Sequence, residues 1–299
     1  MGTKLSEKGY IVTVENSYDN DIYGYCLNCS NRHTDSRENR IKILESWSRK
    51  IRSHVVTMAH NSKSPHIGSA LSCVDILCCL FFEVMDMYED YFILSKGHGC
   101  MSYYAVLAEK KIFGLSLLDQ YAKNGGKLPE HPPCGIIHGV PGIEIGTGSL
   151  GHGLAISLGR ALARRIRNIK GNEFVLLGDG ECNEGSVWES AMFAANANIN
   201  NIIAIVDRNN MQCAGFVDRL NMVDKWKSFG WNAIETDGNN IGCLLRAFDE
   251  LKTLTKPGVI IANTIKGKGI SFMENELEWH YRFPNEQELS SAFKEINNA

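Results

Sequence analysis

The fold is decided by residues 174–212, FVLLGDGECNEGSVWESAMFAANANINNIIAIVDRNNMQ. Phe174-Val175-Leu176-Leu177 is a short apolar run that stops at Gly178-Asp179-Gly180, and residues 202–206 form a second run that stops at Asp207-Arg208-Asn209. Apolar runs of this length, bounded by turn residues, read as buried strands. Between them, over 186–199, Trp188, Ala191, Met192, Ala195 and Ile199 recur at the three-and-four spacing of a helix that buries that side on a sheet. The stretch is therefore a strand–helix–strand unit. In an open parallel sheet ligands bind beyond the carboxyl ends of the strands, so the oxygens of Asp179 and Asn209 stand where a charged cofactor is held.

The composition suits one large α/β domain or two smaller ones: 299 residues, 44% hydrophobic and 22% charged. A net charge of −3 leaves no basic footprint for nucleic acid or an anionic membrane surface, so neither partner is expected. The most apolar segment, 67–85, is interrupted by Asp75 and Glu83 and falls short of the roughly 20 apolar residues of a membrane span. It reads as a buried helix over 70–85 with Ser69 as its cap. No basic region followed by an apolar core opens the chain, which makes the cytoplasm the expected location. Of ten cysteines, eight are isolated or in apolar runs such as Cys73, Cys78 and Cys79, and read as small buried hydrophobes in a reducing compartment. Cys26-Leu27-Asn28-Cys29 with His33 has the spacing of half a zinc site, without an evident fourth ligand. The alternative there is a thiol pair on a polar arm.

In chain order, 1–37 is rich in Asn, Asp, Ser and Tyr and reads as an N-terminal arm, with the domain proper over 38–299. Ile41, Leu44, Trp47, Ile51, Val55 and Met58 predict an amphipathic helix ending near His60. Proline in Ser64-Pro65-His66-Ile67-Gly68 then places His66 on a loop. A strand at 91–94 leads into Ser95-Lys96-Gly97-His98-Gly99 and a helix over 101–111. Residues 123–151 form a long Gly- and Pro-rich loop containing Glu130-His131-Pro132. A helix through Leu154, Leu158, Leu162 and Ile166 precedes the strand at Phe174. Strands at 231–235 and 259–265, joined by a helix over 241–254, lead to Lys266-Gly267-Lys268-Gly269 and Glu278-Trp279-His280.

Mg²⁺ takes six oxygens shared among carboxylate, carbonyl, phosphate and water, so Asp179, Asn209 and the Met211 backbone carbonyl suit a metal diphosphate. Taken singly, each motif is more often only a turn after a strand; two in succession after consecutive strands favour the metal. Gly146-x-Gly148-x-x-Gly151 supplies a rival, a nicotinamide-dependent oxidoreductase. Against it, that fingerprint should directly follow a strand and lie about 20 residues before an acidic strand end. Five histidines, His66, His98, His131, His152 and His280, lie in such loops or in the tail motif, and imidazole suits proton transfer in both directions near neutral pH. A lone loop histidine is more often simply solvated or hydrogen-bonded.

Gly178-Asp179-Gly180-Glu181-Cys182-Asn183-Glu184-Gly185 with Trp188-Glu189 and Asn209 resembles the cofactor motif of transketolases, thiamine diphosphate enzymes. Ser95-Lys96-Gly97-His98, His131-Pro132, Pro141-Gly142-Ile143-Glu144 with Gly148-Ser149-Leu150-Gly151, and Lys266-Gly267-Lys268-Gly269 with Trp279-His280 follow in the family's order, from about residue 40 to 284. The resemblance implies a three-layer parallel-sheet fold that binds thiamine diphosphate. It implies that Asp179, Asn209 and Met211 hold Mg²⁺ (or Ca²⁺ or Mn²⁺ in its place) on the diphosphate, with Gly178, Gly180 and Glu184 in the same motif and the Gly180 N–H facing a phosphate. It places Lys266 and His280 along the diphosphate and thiazolium, and Gly148, Ser149 and Leu150 at the aminopyrimidine. His66, His98, His131 and His280 become the site's histidines, with His98 also against the cofactor. The implied reaction has the cofactor's carbanion attack a ketose, retain a two-carbon ketol unit and pass it to an aldose.

Full-length members continue into a second cofactor-binding domain with the glutamate that activates the aminopyrimidine. The resemblance thus implies a split enzyme, an α2β2 heterotetramer acting on sugars or sugar phosphates, in which this chain pairs with a separate C-terminal subunit. Ser64-Pro65-His66-Ile67-Gly68 departs from the family's common order towards the deoxyxylulose phosphate synthase version, and His152 replaces a usual glutamine. A deoxyxylulose phosphate synthase-like or 2-oxo acid decarboxylating subunit is therefore the alternative, with a cofactor-binding regulatory subunit behind it.

Overall fold

The computed structural model describes residues 4–5, 11–12, 36–212, 215–216, 221–251 and 255–298. The chain divides into two units, 1–40 and 41–299. In the first, Lys4–Leu5 and Ile11–Val12 pair as a short antiparallel ladder. There the Ser36 hydroxyl accepts from Asn39 N–H at 3.2 Å and caps helix α1 (Arg37–Ser62). Cys26, Cys29 and His33, the half-site considered for zinc, lie outside the described residues.

In the second unit α1 is followed by α2 (Ile67–Ser72), α3 (Val74–Cys79) and, beyond strand β1 (Tyr91–Leu94), α4 (Cys100–Glu109). Helix α5 (Gly153–Ile166) then enters β2 (Glu173–Gly178), and α6 (Gly185–Asn196) joins β2 to β3 (Ile202–Arg208). Helix α7 (Met222–Ser228), β4 (Asn232–Asp237), α8 (Ile241–Leu251), β5 (Gly258–Asn263) and α9 (Glu286–Asn298) complete the unit. The five strands form one parallel sheet in the order β1-β2-β3-β5-β4.

Successive side chains of a strand point to opposite faces, and here both faces are covered. Val175, Leu177, Ala204, Val206 and Ile261 pack in one apolar cluster with residues of α5, α6 and α7. Phe174, Leu176, Ile203, Ile205 and Ile260 pack in the other with residues of α1 to α4, α8 and α9. The protein is thus a three-layer α/β fold, and burial on both faces is why β2 and β3 read as unbroken apolar runs. Replacing Ile205, which is fully buried, by Ala is expected to cost about 2–5 kcal/mol through the cavity it leaves. The urea midpoint should fall with the denaturant slope unchanged.

Two expected helices are corrected. The segment 70–85 is not one helix capped by Ser69: α2 starts after His66, a left-handed residue at φ 72°, and Ser69 lies inside it. The chain breaks at Cys73 (φ −98°, ψ 7°), resumes as α3, and ends in a π-helical turn, Leu80–Val84. Helix α6 buries Val187, Ser190, Ala191 and Ala194. Met192 and Phe193, about half exposed, point away from that face. The expected positions Trp188, Ala191 and Ala195 do pack in or against the core cluster, so the correction concerns Met192 alone. Among the described residues no helix is long and apolar enough to cross a membrane.

Candidate active site

Asp179 follows β2 directly, where Gly178 is registered beside Asp207 of β3. Its Oδ1 accepts from Gly180 N–H at 2.8 Å and its Oδ2 from Asn210 N–H at 2.5 Å, which ties the two strand ends together. Asn210 adopts a left-handed φ of 60°, and just before it the Asn209 side-chain oxygen accepts from Met211 N–H at 3.1 Å. Asp179 and Asn209 are both buried. Burial, and then the negative charge of Asp207, push the Asp179 carboxyl up to about 6. Carboxylate, amide and peptide oxygens form a hard donor set, and the charge held here is what a divalent cation offsets, so the residues fit Mg²⁺. Among the described residues no group of three or more His, Cys, Asp or Glu is placed to hold a metal. The set at Asp179 differs in having a single carboxylate. The Gly180 N–H expected to face a phosphate is engaged by Asp179 instead.

The histidines come from separate segments and converge. The His66 ring centroid lies 5.8 Å from that of His98, 6.1 Å from His131 and 4.9 Å from His280, and His98 lies 6.3 Å from His280. The His66 N–H donates to the His280 carbonyl at 3.0 Å. Lys266, fully buried, brings its Nζ to 2.9 Å from His280 Nδ1, and the buried His66 Nδ1 has no hydrogen-bond partner. His152 stands apart from these contacts, exposed, with Nδ1 2.9 Å from the Leu150 carbonyl oxygen.

Burial lowers the basicity of three of these rings. His66 is lowered by burial and then by His131, and His98 falls well below its ordinary value through burial and then Lys96. His280 falls to about 4 through burial and then Lys266. All three are neutral at pH 7 and able to take or give a proton. Between pH 6.5 and 4 the unfolded chain binds protons that folded His280 refuses, so this residue by itself lowers the unfolding free energy as pH falls through the window, while Glu173 and Asp179, pushed up to about 7 and about 6, act the other way. Urea titrations of the wild type and of His280→Gln at pH 7 and pH 5 isolate its share. The wild type should lose more stability, or gain less, than the variant between the two, and equal changes would contradict the assignment.

The loop 146–151 meets the histidines from the side. Thr147 Oγ1 donates to the Leu94 carbonyl at 2.8 Å, and a Cβ on Gly97 would stand 2.9 Å from that hydroxyl, so glycine permits the approach. Gly148 lies against the His131 ring, Ser149 is exposed and Leu150 half-buried. The nearest preceding strand is β1, with α4 between. The dinucleotide fingerprint therefore lacks the strand it must follow, and the nicotinamide reading falls. Glu184 is exposed at the start of α6 and makes no side-chain capping bond.

The sequence did not reveal the buried ion pair beneath the site. Lys96 Nζ pairs with Asp207, which also accepts from Ser72 Oγ at 2.6 Å and from Thr264 Oγ1. The same Nζ donates to the Ser69 carbonyl at 2.9 Å. Burial works against the Lys96 charge, but the attraction of Asp207 together with that of Cys73 and Asp179 outweighs it, so its pKa rises. Both residues stood in motifs already singled out, and only their partners were hidden.

Strand-end oxygens fit for a metal diphosphate, faced by a histidine cluster on a three-layer parallel sheet, define a diphosphate-cofactor domain. Residues 45–295 match the family described as transketolase, thiamine diphosphate binding domain. An apulose-4-phosphate transketolase subunit of Actinobacillus succinogenes is 39% identical over 85% of this chain and 96% of its own. The subunit of the same name from Phocaeicola vulgatus is 34% identical over 86% and 95%. Among solved structures, Campylobacter jejuni transketolase superposes with a TM-score of 0.79 at 26% identity, over 86% of this chain and 43% of that one. The chain belongs to the transketolase family and is a transferase of that type, carrying its thiamine diphosphate-binding domain.

Proposed function

We propose that this chain is the diphosphate-binding subunit of a two-chain transketolase, which transfers a two-carbon ketol unit from a ketose to an aldose with thiamine diphosphate and Mg²⁺. The observation that carries the reading is the convergence of His66, His98, His131 and His280 beside Lys266, at the carboxyl ends of the strands where Asp179 and Asn209 offer hard oxygens. Asp179, Asn209 and the Met211 carbonyl would hold the cation, and Lys266 and His280 would line the diphosphate and thiazolium. Gly148, Ser149 and Leu150 would meet the aminopyrimidine, with Gly178, Gly180 and Glu184 flanking the metal turn. The chemistry that thiamine diphosphate supplies when bound is cleavage and formation of the carbon–carbon bond beside a ketose carbonyl.

The chain's own work is to hold that cofactor and to move protons. Neutral imidazoles at His66 and His98 accept from a donor hydroxyl and return the proton to an acceptor oxygen, and burial, then the Lys266 charge, keep His280 neutral beside them. Two relatives of nearly this length are named as single subunits of a transketolase, which supports a separate partner chain. That partner would supply the activating glutamate in an α2β2 assembly. Mixing the purified chain with the partner subunit should create ketol transfer that neither has alone. Full activity of the single chain would overturn the two-chain reading, and pyruvate-dependent CO₂ release without ketol transfer would favour a decarboxylating enzyme.

A further inference from the structure

Glu181 is a buried carboxylate, 1% exposed, on the one-turn helix Gly180–Asn183, and the assignments above give it no task. Its Oε1 accepts from Gly151 N–H at 2.9 Å and from the Ser95 hydroxyl, and its Oε2 accepts from Gly178 N–H at 3.0 Å. Ser95 Oγ in turn accepts from Gly153 N–H at 3.1 Å, at the first residue of α5. One carboxylate thus gathers three segments: the turn that bears Asp179, the end of β1 that leads to His98, and the loop that presents Gly148, Ser149 and Leu150. All of these donors are neutral. Burying a charge without a cation is costly unless its oxygens are fully hydrogen-bonded, so the arrangement is specific.

We propose that Glu181 is a positioning residue that locks the loop 146–151 to the turn at Gly178, so that the two ends of one thiamine diphosphate molecule are met at a fixed separation. This rests on the cofactor reading above. Gly151 sits at φ 82°, and a Cβ there would come within 2.6 Å of Ser186 Oγ and 2.8 Å of Glu184 Cβ. With α6 that close on one side, Glu181 holds the loop from the other. Asp179 is not part of the lock, because its oxygens are held by Gly180 and Asn210. Loss of Glu181 should loosen the loop and spare the diphosphate end.

The chemistry demands a group that only accepts. Every oxygen of Glu181 faces a donor, so a glutamine in either orientation turns its NH₂ onto the N–H of Gly151 or of Gly178. The test measures calorimetric affinity of the assembled two-chain enzyme, with Mg²⁺, for thiamine diphosphate and separately for inorganic pyrophosphate. Glu181→Gln should weaken thiamine diphosphate about tenfold or more, the scale of an unsatisfied buried donor, and leave pyrophosphate within about twofold. Ser95→Ala, which keeps the carboxylate and removes one donor, should shift the same ratio by less. Equal weakening of both ligands, or of neither, overturns the proposal, and if Glu181→Gln does not fold, Ser95→Ala decides by the same ratio. An unsubstituted enzyme that binds neither ligand would instead overturn the cofactor reading, and this inference with it.

Discussion

Asp179→Ala should abolish thiamine diphosphate binding and lower ketol transfer by about a thousandfold or more, because a charged diphosphate then loses the metal that neutralises it. Asp179 is the one carboxylate in the proposed oxygen set, and burial together with Asp207 drives its carboxyl up to about 6, so the fold has stored negative charge there for a cation to offset. Asp179→Asn keeps an oxygen ligand and loses the charge, and should fall between the wild type and the alanine variant. Calorimetry with Mg²⁺ and cofactor, beside a ketol-transfer assay of the assembled enzyme, reads both effects. Unchanged cofactor affinity in Asp179→Ala would remove the metal assignment. The variant should still melt cooperatively, since the Asp179 side chain accepts its bonds from two turn N–H groups and the sheet does not depend on it.

The second large effect concerns stability. Lys96→Met should cost about 3–5 kcal/mol, because it strands the Asp207 carboxylate, fully buried, without its cation. In a chain of this size that corresponds to a fall of about 5–8 °C in Tm. Adding Asp207→Asn to Lys96→Met should recover part of the loss, since a neutral amide is cheaper to bury than a lone charge. A Lys96→Met protein as stable as the wild type would show that the pair does not form. The network also explains why activity should drop with stability. Lys96 lies two residues before His98, Asp207 two before Asn209 and Thr264 two before Lys266, while Ser69 and Ser72 follow His66. The segments that carry His66, His98, Asn209 and Lys266 are fastened below by this network, whereas the Asp179 turn is held by Gly180 and Asn210.

Much of this was legible locally. Phe174-Val175-Leu176-Leu177 and residues 202–206 announce buried strands because a strand covered on both faces can carry apolar side chains at every position. The glycine-marked turns after them name the ligand positions because a parallel sheet exposes its carboxyl ends. Helix α6 was legible as a helix and, except at Met192, as a face, since Ala191 and Ile199 are buried in the core cluster and Trp188 and Ala195 pack against it. The break at Cys73 was invisible, because neither glycine nor proline marks it and tertiary packing overrides weak local preference.

What the sequence by itself determined was the strands and most of the helices, with α7 and α9 missed, together with the family and the residue types standing at strand ends. The tertiary structure decided which of them meet. His66 and His280 are far apart in the chain, yet their rings lie 4.9 Å apart, and β5 inserts between β3 and β4 to bring Thr264 to Asp207. Lys96 and Glu181 gained their roles only from partners on other segments. Periodicity and turn chemistry are short-range, spanning a few residues, whereas a buried charge finds its counterpart through the closure of the whole sheet and its layers.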